Sequence, residues 1–238
     1  MKIGNAIRWT IAIALIVLSF ANASWLAPQP KGSLRLIAES RQPGCQDVEV
    51  TRADIMAGAD VVTIDAIPLE GCTPPTVPLR ELARYSMIFE VENAAATLAI
   101  FEQIKRPIDQ RYGFIGHDAA ISEIRRKHPN AWAFTIAEAR KCFSDYIWQG
   151  WLTVTPSSCK NGTMVIPIDQ KWKVAGWPRR FQARMAAAGT RVILAGEGTE
   201  PDHISGLGKL EEIAEIPRDY TGYVWVSNIE LIGRSIRR

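Results

Sequence analysis

The sequence predicts an α/β chain folded as a small (β/α)8 TIM-type barrel, with a hydrophobic helix ahead of it. Three observations carry that expectation: eight short apolar runs along residues 34–238, helix-forming stretches between them, and an N-terminal apolar segment behind two basic residues. Alternating strand and helix patterns are the signature of repeated βα units around a parallel sheet. Eight units in so short a stretch sit near the lower size limit of a barrel.

The elements follow in chain order. Lys2 and Arg8 come first, then the apolar run 9–20, and Ala21-Asn22-Ala23 supplies the small-x-small pattern of a signal-peptidase site. The run is shorter than the roughly 20 residues of a comfortable membrane span, although 3–26 could cross if Arg8 snorkels. Residues 1–26 therefore read as a signal peptide or a membrane anchor, with cleavage and retention both open. Either way the positive flank places the body across the membrane, in the periplasm or anchored to the inner membrane. Pro28, Pro30 and Gly32 make 27–33 a linker, and 34–238 is the barrel domain.

Expected strands are 34–38, 61–65, 87–91, 112–115, 131–135, 151–155, 191–195 and 222–226. Helical spacing of apolar residues marks 47–57, 94–105, 118–127, 136–146, 179–188 and 207–213. The further apolar run 164–168 reads as part of a long insertion before the seventh strand. Trp148, Trp151, Trp172 and Trp177 surround that insertion and suit either core packing or a lid over a ligand.

Composition sets the remaining bounds. With 238 residues, 47% hydrophobic and 22% charged, the chain has enough apolar content for one sizeable core and too much for disorder. The formal charge of +3 is dispersed apart from short runs at 125–127 and 234–238, so nothing calls for a nucleic-acid partner. Export makes Cys45, Cys72, Cys142 and Cys159 candidates for two disulfides. Proximity favours Cys45 with Cys72 and Cys142 with Cys159, but it does not fix connectivity. A zinc site has little support, because no two cysteines lie closer than seventeen positions and there are only three histidines.

In barrels of this kind the chemistry sits at the carboxyl ends of the strands. Glu39 ends the first strand there and Asp65 the second. The segments Leu34-Arg35-Leu36-Ile37-Ala38-Glu39-Ser40-Arg41 and Gly58-Ala59-Asp60-Val61-Val62-Thr63-Ile64-Asp65 resemble the opening of the glycerophosphodiester phosphodiesterase family. That family has Ala-His-Arg-Gly at the end of strand one, then Gly-Ala-Asp and Glu-x-Asp on strand two. Here Gly58-Ala59-Asp60 and Asp65 match, Thr63 stands where a metal-binding Glu belongs, and Glu39-Ser40-Arg41 replaces His-Arg-Gly. Met87-Ile88-Phe89-Glu90-Val91-Glu92 resembles the family's Glu-x-Lys strand, with Glu90 at the metal ligand and Glu92 reversing the charge of the lysine. The segment 216–228 resembles the family's closing strand, with Ser227-Asn228 in place of Thr-Asp.

The resemblance implies a phospholipase-C-like phosphodiesterase barrel and a mechanism in which two histidines work around a divalent metal held by three carboxylates. Both histidines are missing. The loop that carries the second one in the family is deleted after Asp65, and His117, His128 and His203 lie away from the family positions, in stretches that read as exposed loops. The chain is thus expected to be a divergent, catalytically impaired member, binding a phosphodiester, glycerol-phosphate or headgroup ligand or serving as an interaction module. It would be exported, or held to the membrane by an uncleaved N-terminal segment. The alternatives are an active phosphodiester hydrolase with a rebuilt site, and a chain too short to close its barrel. Asp65 and Glu90 are the expected metal pair for Ca²⁺ or Mg²⁺, with Glu39, Thr63 and Glu92 as possible pocket residues.

Overall fold

The computed structural model describes residues 2–40, 48–66, 80–81, 84–103, 105–198 and 203–236. Eight parallel strands form one sheet in the order β5-β4-β3-β2-β1-β8-β7-β6. They are β1 Arg35–Ala38, β2 Val61–Asp65, β3 Ser86–Val91, β4 Tyr112–Gly116, β5 Trp132–Phe134, β6 Thr163–Pro167, β7 Arg191–Ala195 and β8 Tyr223–Val226. Among the described residues the helices are α1 Lys2–Asn22, α2 Val48–Ala57, α3 Ala94–Gln103, α4 Asp118–Lys127, α5 Ile136–Gln149, α6 Arg179–Ala187, α7 Leu210–Ala214 and α8 Ile229–Ile236. The first and last strands of the sheet come round to face each other, so the protein is a nearly closed (β/α)8 barrel.

The strands are apolar on both faces because both faces are covered. Alternate residues Ile37, Val61, Ile88, Ile115, Phe134, Val165, Ile193 and Trp225 point inward and make the barrel core. Their neighbours, among them Leu36, Val62, Met87, Phe114, Ile166, Leu194 and Val224, point outward against the helices. Phe89, Phe101, Tyr112 and Phe114 form one edge-to-face and stacked aromatic cluster between β3, β4 and α3. The β5 corner is held by polar bonds instead. Thr135 and Glu138 make a reciprocal capping box at the start of α5, and Arg125 from α4 donates to both the Glu138 carboxylate and the Ala133 carbonyl. The hydrogen bonds from Arg125 hold the Glu138 carboxyl below the usual carboxylate range.

Two expectations about elements are corrected. Residues 151–155 are not a strand. The chain there is a 3-10 turn, Gly150–Leu152, followed by Thr153 at φ 65°, a left-handed conformation that no strand residue adopts. The sixth strand is instead Thr163–Pro167, paired with β7, whose Val165 is buried in the barrel core and whose Met164 and Ile166 are buried against the outer helices. Both runs have strand composition, and only burial on two faces separates them. In addition, α8 was not expected. It is amphipathic, starts on the Asn228 carboxamide, which accepts from the Leu231 N–H, and buries Ile229 and Ile232. Expectation and structure agree on β1–β5, β7 and β8 to within a residue or two.

The seam between β5 and β6 carries no ladder of backbone bonds, since those strands stand at opposite ends of the sheet order. Trp132 closes it. Its indole N–H donates to the Thr163 hydroxyl at 3.0 Å, in a buried setting, and its ring lies 5.2 Å from that of Tyr223. Arg191 stacks over the same indole at 4.3 Å. Burial presses the Arg191 guanidinium below its usual range, partly offset by Tyr223, while the nearby Arg35 lowers it further.

Cys142 and Cys159 are joined by a disulfide, with Cα atoms 4.7 Å apart. It ties α5 to the turn that leads into β6. Cys45 and Cys72 lie outside the described residues. Among the described residues no helix is long and apolar enough to cross a membrane.

Two outcomes test this packing. Thr163→Val keeps the side-chain shape but strands the Trp132 N–H, so urea unfolding should show a loss of about 1–3 kcal/mol, while Thr163→Ser stays close to wild type. Closing a loop of 17 residues is worth about 3 kcal/mol. The double substitution Cys142→Ala/Cys159→Ala should therefore lower unfolding stability by about 2–4 kcal/mol, and dithiothreitol should have the same effect on the wild-type chain.

Candidate functional site: an acidic mouth at the carboxyl ends of the strands

The inward face of β2 runs Val61, Thr63, Asp65, and that of β3 runs Ile88, Glu90, because side chains alternate along a strand. The β2–β3 register pairs Asp65 with Glu90. Glu39 follows β1 directly, and its N–H is held by the Val226 carbonyl at 2.9 Å, which fixes it beside β8. Apolar layers thus give way to a group of carboxylates at the barrel mouth. The opposite end of the barrel is cationic and aromatic, with Arg35, Arg191, Trp132 and Tyr223.

The carboxylates feel one another. The Glu90 carboxyl opens onto the mouth, yet the barrel wall crowds it. That desolvation, followed by the negative charges of Asp65 and Glu39, lifts it to about 7. Glu39 is also raised, chiefly by burial, against the opposing pull of His203 and a hydrogen bond from the Gly206 amide. His203 Nε2 lies 3.4 Å from Glu39 Oε1, with the imidazole 61% exposed. Thr63 is buried, and its hydroxyl donates to the Ala38 carbonyl at 3.2 Å. It ties β2 to β1 and does not reach the mouth. Glu92 lies beyond the end of β3 and is exposed.

Within the β7–α7 connection, residues 203–208 lie at this mouth beside β8. Leu207 N–H donates to the Trp225 carbonyl at 2.8 Å, and Ser227 N–H to the Leu207 carbonyl at 3.0 Å, so the segment adds a short rung beside β8. Gly206 has no room for a side chain. A Cβ there would stand 2.3 Å from Ser227 N and 2.7 Å from Glu39 Oε2. This close approach is what delivers the Gly206 amide to Glu39 and keeps His203 nearby.

The sequence points to Glu39 and Asp65 by their places at the ends of apolar runs and to Glu90 by the family resemblance, and the structure sets all three at this end of the barrel; His203 was missed as a partner of Glu39. The one available signal was topological, since any loop leaving the carboxyl end of β7 belongs to the mouth. His117 precedes α4 at the rim and is exposed, whereas His128 caps the far end of that helix. Trp148, Trp151 and Trp172 are exposed, and Trp148 and Trp151 stand at the end of α5 remote from the mouth, so these two form no lid over it. Trp177 packs against Phe181 and Tyr220.

Among the described residues no three His, Cys, Asp or Glu side chains converge in a way that could hold a metal ion. Asp65 and Glu90 provide two hard oxygen donors. That set suits a divalent cation that keeps most of its water, as Mg²⁺ commonly does.

The fold and the mouth define a (β/α)8 barrel with an acidic carboxyl-end site. No protein-family model matches the chain, and no curated protein matches it. Among solved structures it is similar to phosphoribosyl anthranilate isomerase from Thermus thermophilus, at 16% identity over 86% of this chain and 100% of that one, with a TM-score of 0.41. It is similar to orotidine 5'-monophosphate decarboxylase from Methanocaldococcus jannaschii at 15% identity, over 87% and 98% of the two chains, with a TM-score of 0.41. A mandelate racemase/muconate lactonizing enzyme homologue from Aspergillus oryzae shares 14% identity over 87% of this chain and 56% of its own, with a TM-score of 0.45. The fold assignment rests on the strand order of the protein itself.

The raised Glu90 carboxyl has a signed consequence. It ionises near 4.5 when unfolded and near 7 when folded, so the folded state holds the extra proton in that window and stability falls as pH rises through it. Glu90→Gln should flatten the fall of melting temperature between those pH values and raise the melting temperature above pH 7. Equal pH profiles for the two chains would show that Glu90 is not crowded by charge.

Proposed function

We propose that the protein is a divergent glycerophosphodiester phosphodiesterase-like barrel, exported from the cytoplasm, that binds a polar anionic ligand such as a phosphodiester or glycerol-phosphate headgroup through a divalent cation, without turning it over. The observation that carries this reading is the pairing of Asp65 with Glu90 across the β2–β3 register, with Glu39 near enough for its charge to be felt at Glu90 and no histidine at either position where the resembled family places one. A bare acidic mouth opposes an anionic ligand by on the order of 1–4 kcal/mol per charge at about 4 Å. Asp65 and Glu90 would hold Ca²⁺ or Mg²⁺, which supplies the positive charge that the site lacks. Glu39, steadied by Gly206 and His203, would accept hydrogen bonds from ligand hydroxyls.

One observation favours a second reading, an active hydrolase. The His203–Glu39 pair and a Glu90 carboxyl near neutral are the kind of groups that move protons at physiological pH. In that case His203 would protonate a leaving alkoxide, with Glu39 orienting the imidazole.

Purified chain separates the two. Under the binding reading, Ca²⁺ or Mg²⁺ raises the melting temperature, Asp65→Asn abolishes the rise, and glycerophosphocholine is not hydrolysed. Turnover that disappears in both Asp65→Asn and His203→Ala establishes the hydrolase instead. Absence of any cation-dependent shift removes the binding reading.

A further inference from the structure

The N-terminal helix is attached to the barrel by a built joint. Arg184 of α6 reaches the end of α1 and donates to the Asn22 carboxamide oxygen at 2.9 Å and to the Ala21 carbonyl at 3.0 Å. The same guanidinium donates to the Gly150 carbonyl and the Tyr146 hydroxyl. Asn22, only 9% exposed, donates in turn to the Trp151 carbonyl at 2.9 Å. Ser24 Oγ then accepts from the Arg179 N–H at 3.0 Å. A cation on the last carbonyls of a helix is a favourable cap. Here the cap comes from the barrel, and it falls on the Ala21-Asn22-Ala23 site itself.

Beyond this joint α1 touches little. Ile11, Ile13, Leu15, Ile16 and Val17 are each 55–59% exposed. Successive residues turn by about 100°, so these side chains face every direction. A second copy packed alongside would cover one stripe of such a helix, whereas an all-round apolar surface calls for a surrounding apolar medium. The base of the helix carries the matching chemistry. Of the chain's eight tryptophans, Trp25, Trp148 and Trp151 are 71%, 80% and 49% exposed, with Leu26 and Leu152 open beside them. Trp25 follows Ala23 by two residues, the Trp151 carbonyl accepts from Asn22, and Trp148 lies in the last turn of α5 just before it, so three exposed indoles belong to the segments that meet at the end of α1. Indoles favour the membrane–water boundary, where an apolar ring and a polar N–H are both satisfied.

We propose that α1 is retained and embeds in a lipid bilayer, and that Trp25, Trp148 and Trp151 form a collar in the headgroup layer. The collar sits where α5 ends, the side on which the strands begin, with Ser24 beside Trp25 bonded to the start of α6. The acidic mouth lies at the other end of the barrel, so it faces away from the bilayer into the aqueous compartment. The ligand that reaches Asp65 and Glu90 is thereby a water-soluble molecule and not a lipid still resident in the same membrane. The membrane surface itself stands independently of the ligand assigned to the mouth.

Full-length chain and vesicles of phosphatidylethanolamine and phosphatidylglycerol provide the test. The chain should co-sediment with vesicles, and Trp25→Ser/Trp148→Ser/Trp151→Ser should weaken partitioning by about tenfold, because binding scales with the apolar area inserted, at an unchanged melting temperature. A fluorophore on Trp148→Cys should be quenched by lipid-borne quenchers, and one on Ala119→Cys, at the mouth end of α4, by aqueous iodide only. Chain isolated from cell membranes should have the mass that includes residues 1–23. The proposal is overturned by chain that stays in the supernatant, by equal partitioning of the collar variant, by lipid quenching at position 119, by a mature N-terminus at Ser24, or by a discrete dimer that leaves vesicles unbound.

Discussion

Barrel closure depends on Trp132. Seven neighbour contacts between strands are made by backbone ladders, and the eighth, between β5 and β6, rests on an indole reaching Thr163. β5 is also the shortest strand, of three residues, so the seam falls where the backbone has least to offer. The compensation is dense. Arg191 from β7 covers one side of the indole, Tyr223 from β8 and Phe134 pack against it, and Arg125 fixes the strand's carbonyl from outside. Holding the seam lets the remaining strands keep a common register, and that register brings Asp65 level with Glu90.

The barrel interior is therefore sorted along its axis. One end is closed by guanidinium groups stacked on aromatic rings, the middle is aliphatic, and the mouth is carboxylate. Arginine at the closed end suits a site where stacking can replace solvent, because the flat, weakly hydrated guanidinium tolerates a ring on its face. Carboxylates in the same place would have no such partner, and at the mouth they keep contact with water. The β1–β3 ladders beneath them fix where they stand, and the charges of Asp65 and Glu39 are felt at Glu90.

Much of this was legible in the sequence. Strands β1 to β4 announce themselves by apolar runs between turn residues, Glu39 and Asp65 are read from where the first two runs stop, and Glu90 is read from the family resemblance of the third. β5 was legible in the same way, but β6 was not, because Trp151-Leu152-Thr153-Val154-Thr155 and Met164-Val165-Ile166 have equal claims to a strand by composition. What decided between them was a left-handed Thr153 and the disulfide that turns the chain at Cys159, neither of which shows in apolar spacing. His203 escaped for another reason. Its partnership with Glu39 spans the whole barrel in sequence and depends on Gly206 threading beside β8, a contact between backbones that leaves no pattern in side-chain type. α8 was overlooked although its apolar spacing is strong, since its basic end suggested a solvated tail.

The joint at Arg184 changes how the N-terminal segment should be treated at the bench. One guanidinium serves four acceptors, and two of them, on Ala21 and Asn22, belong to the segment that would be trimmed by habit as a leader. A chain beginning after Ala23 keeps the charge but loses half of what it bonds, and it opens the contact between α5 and α6 to water. Such a shortened chain lacks two of the four acceptors of the joint, and its stability is to be compared with that of the full chain and not assumed equal to it.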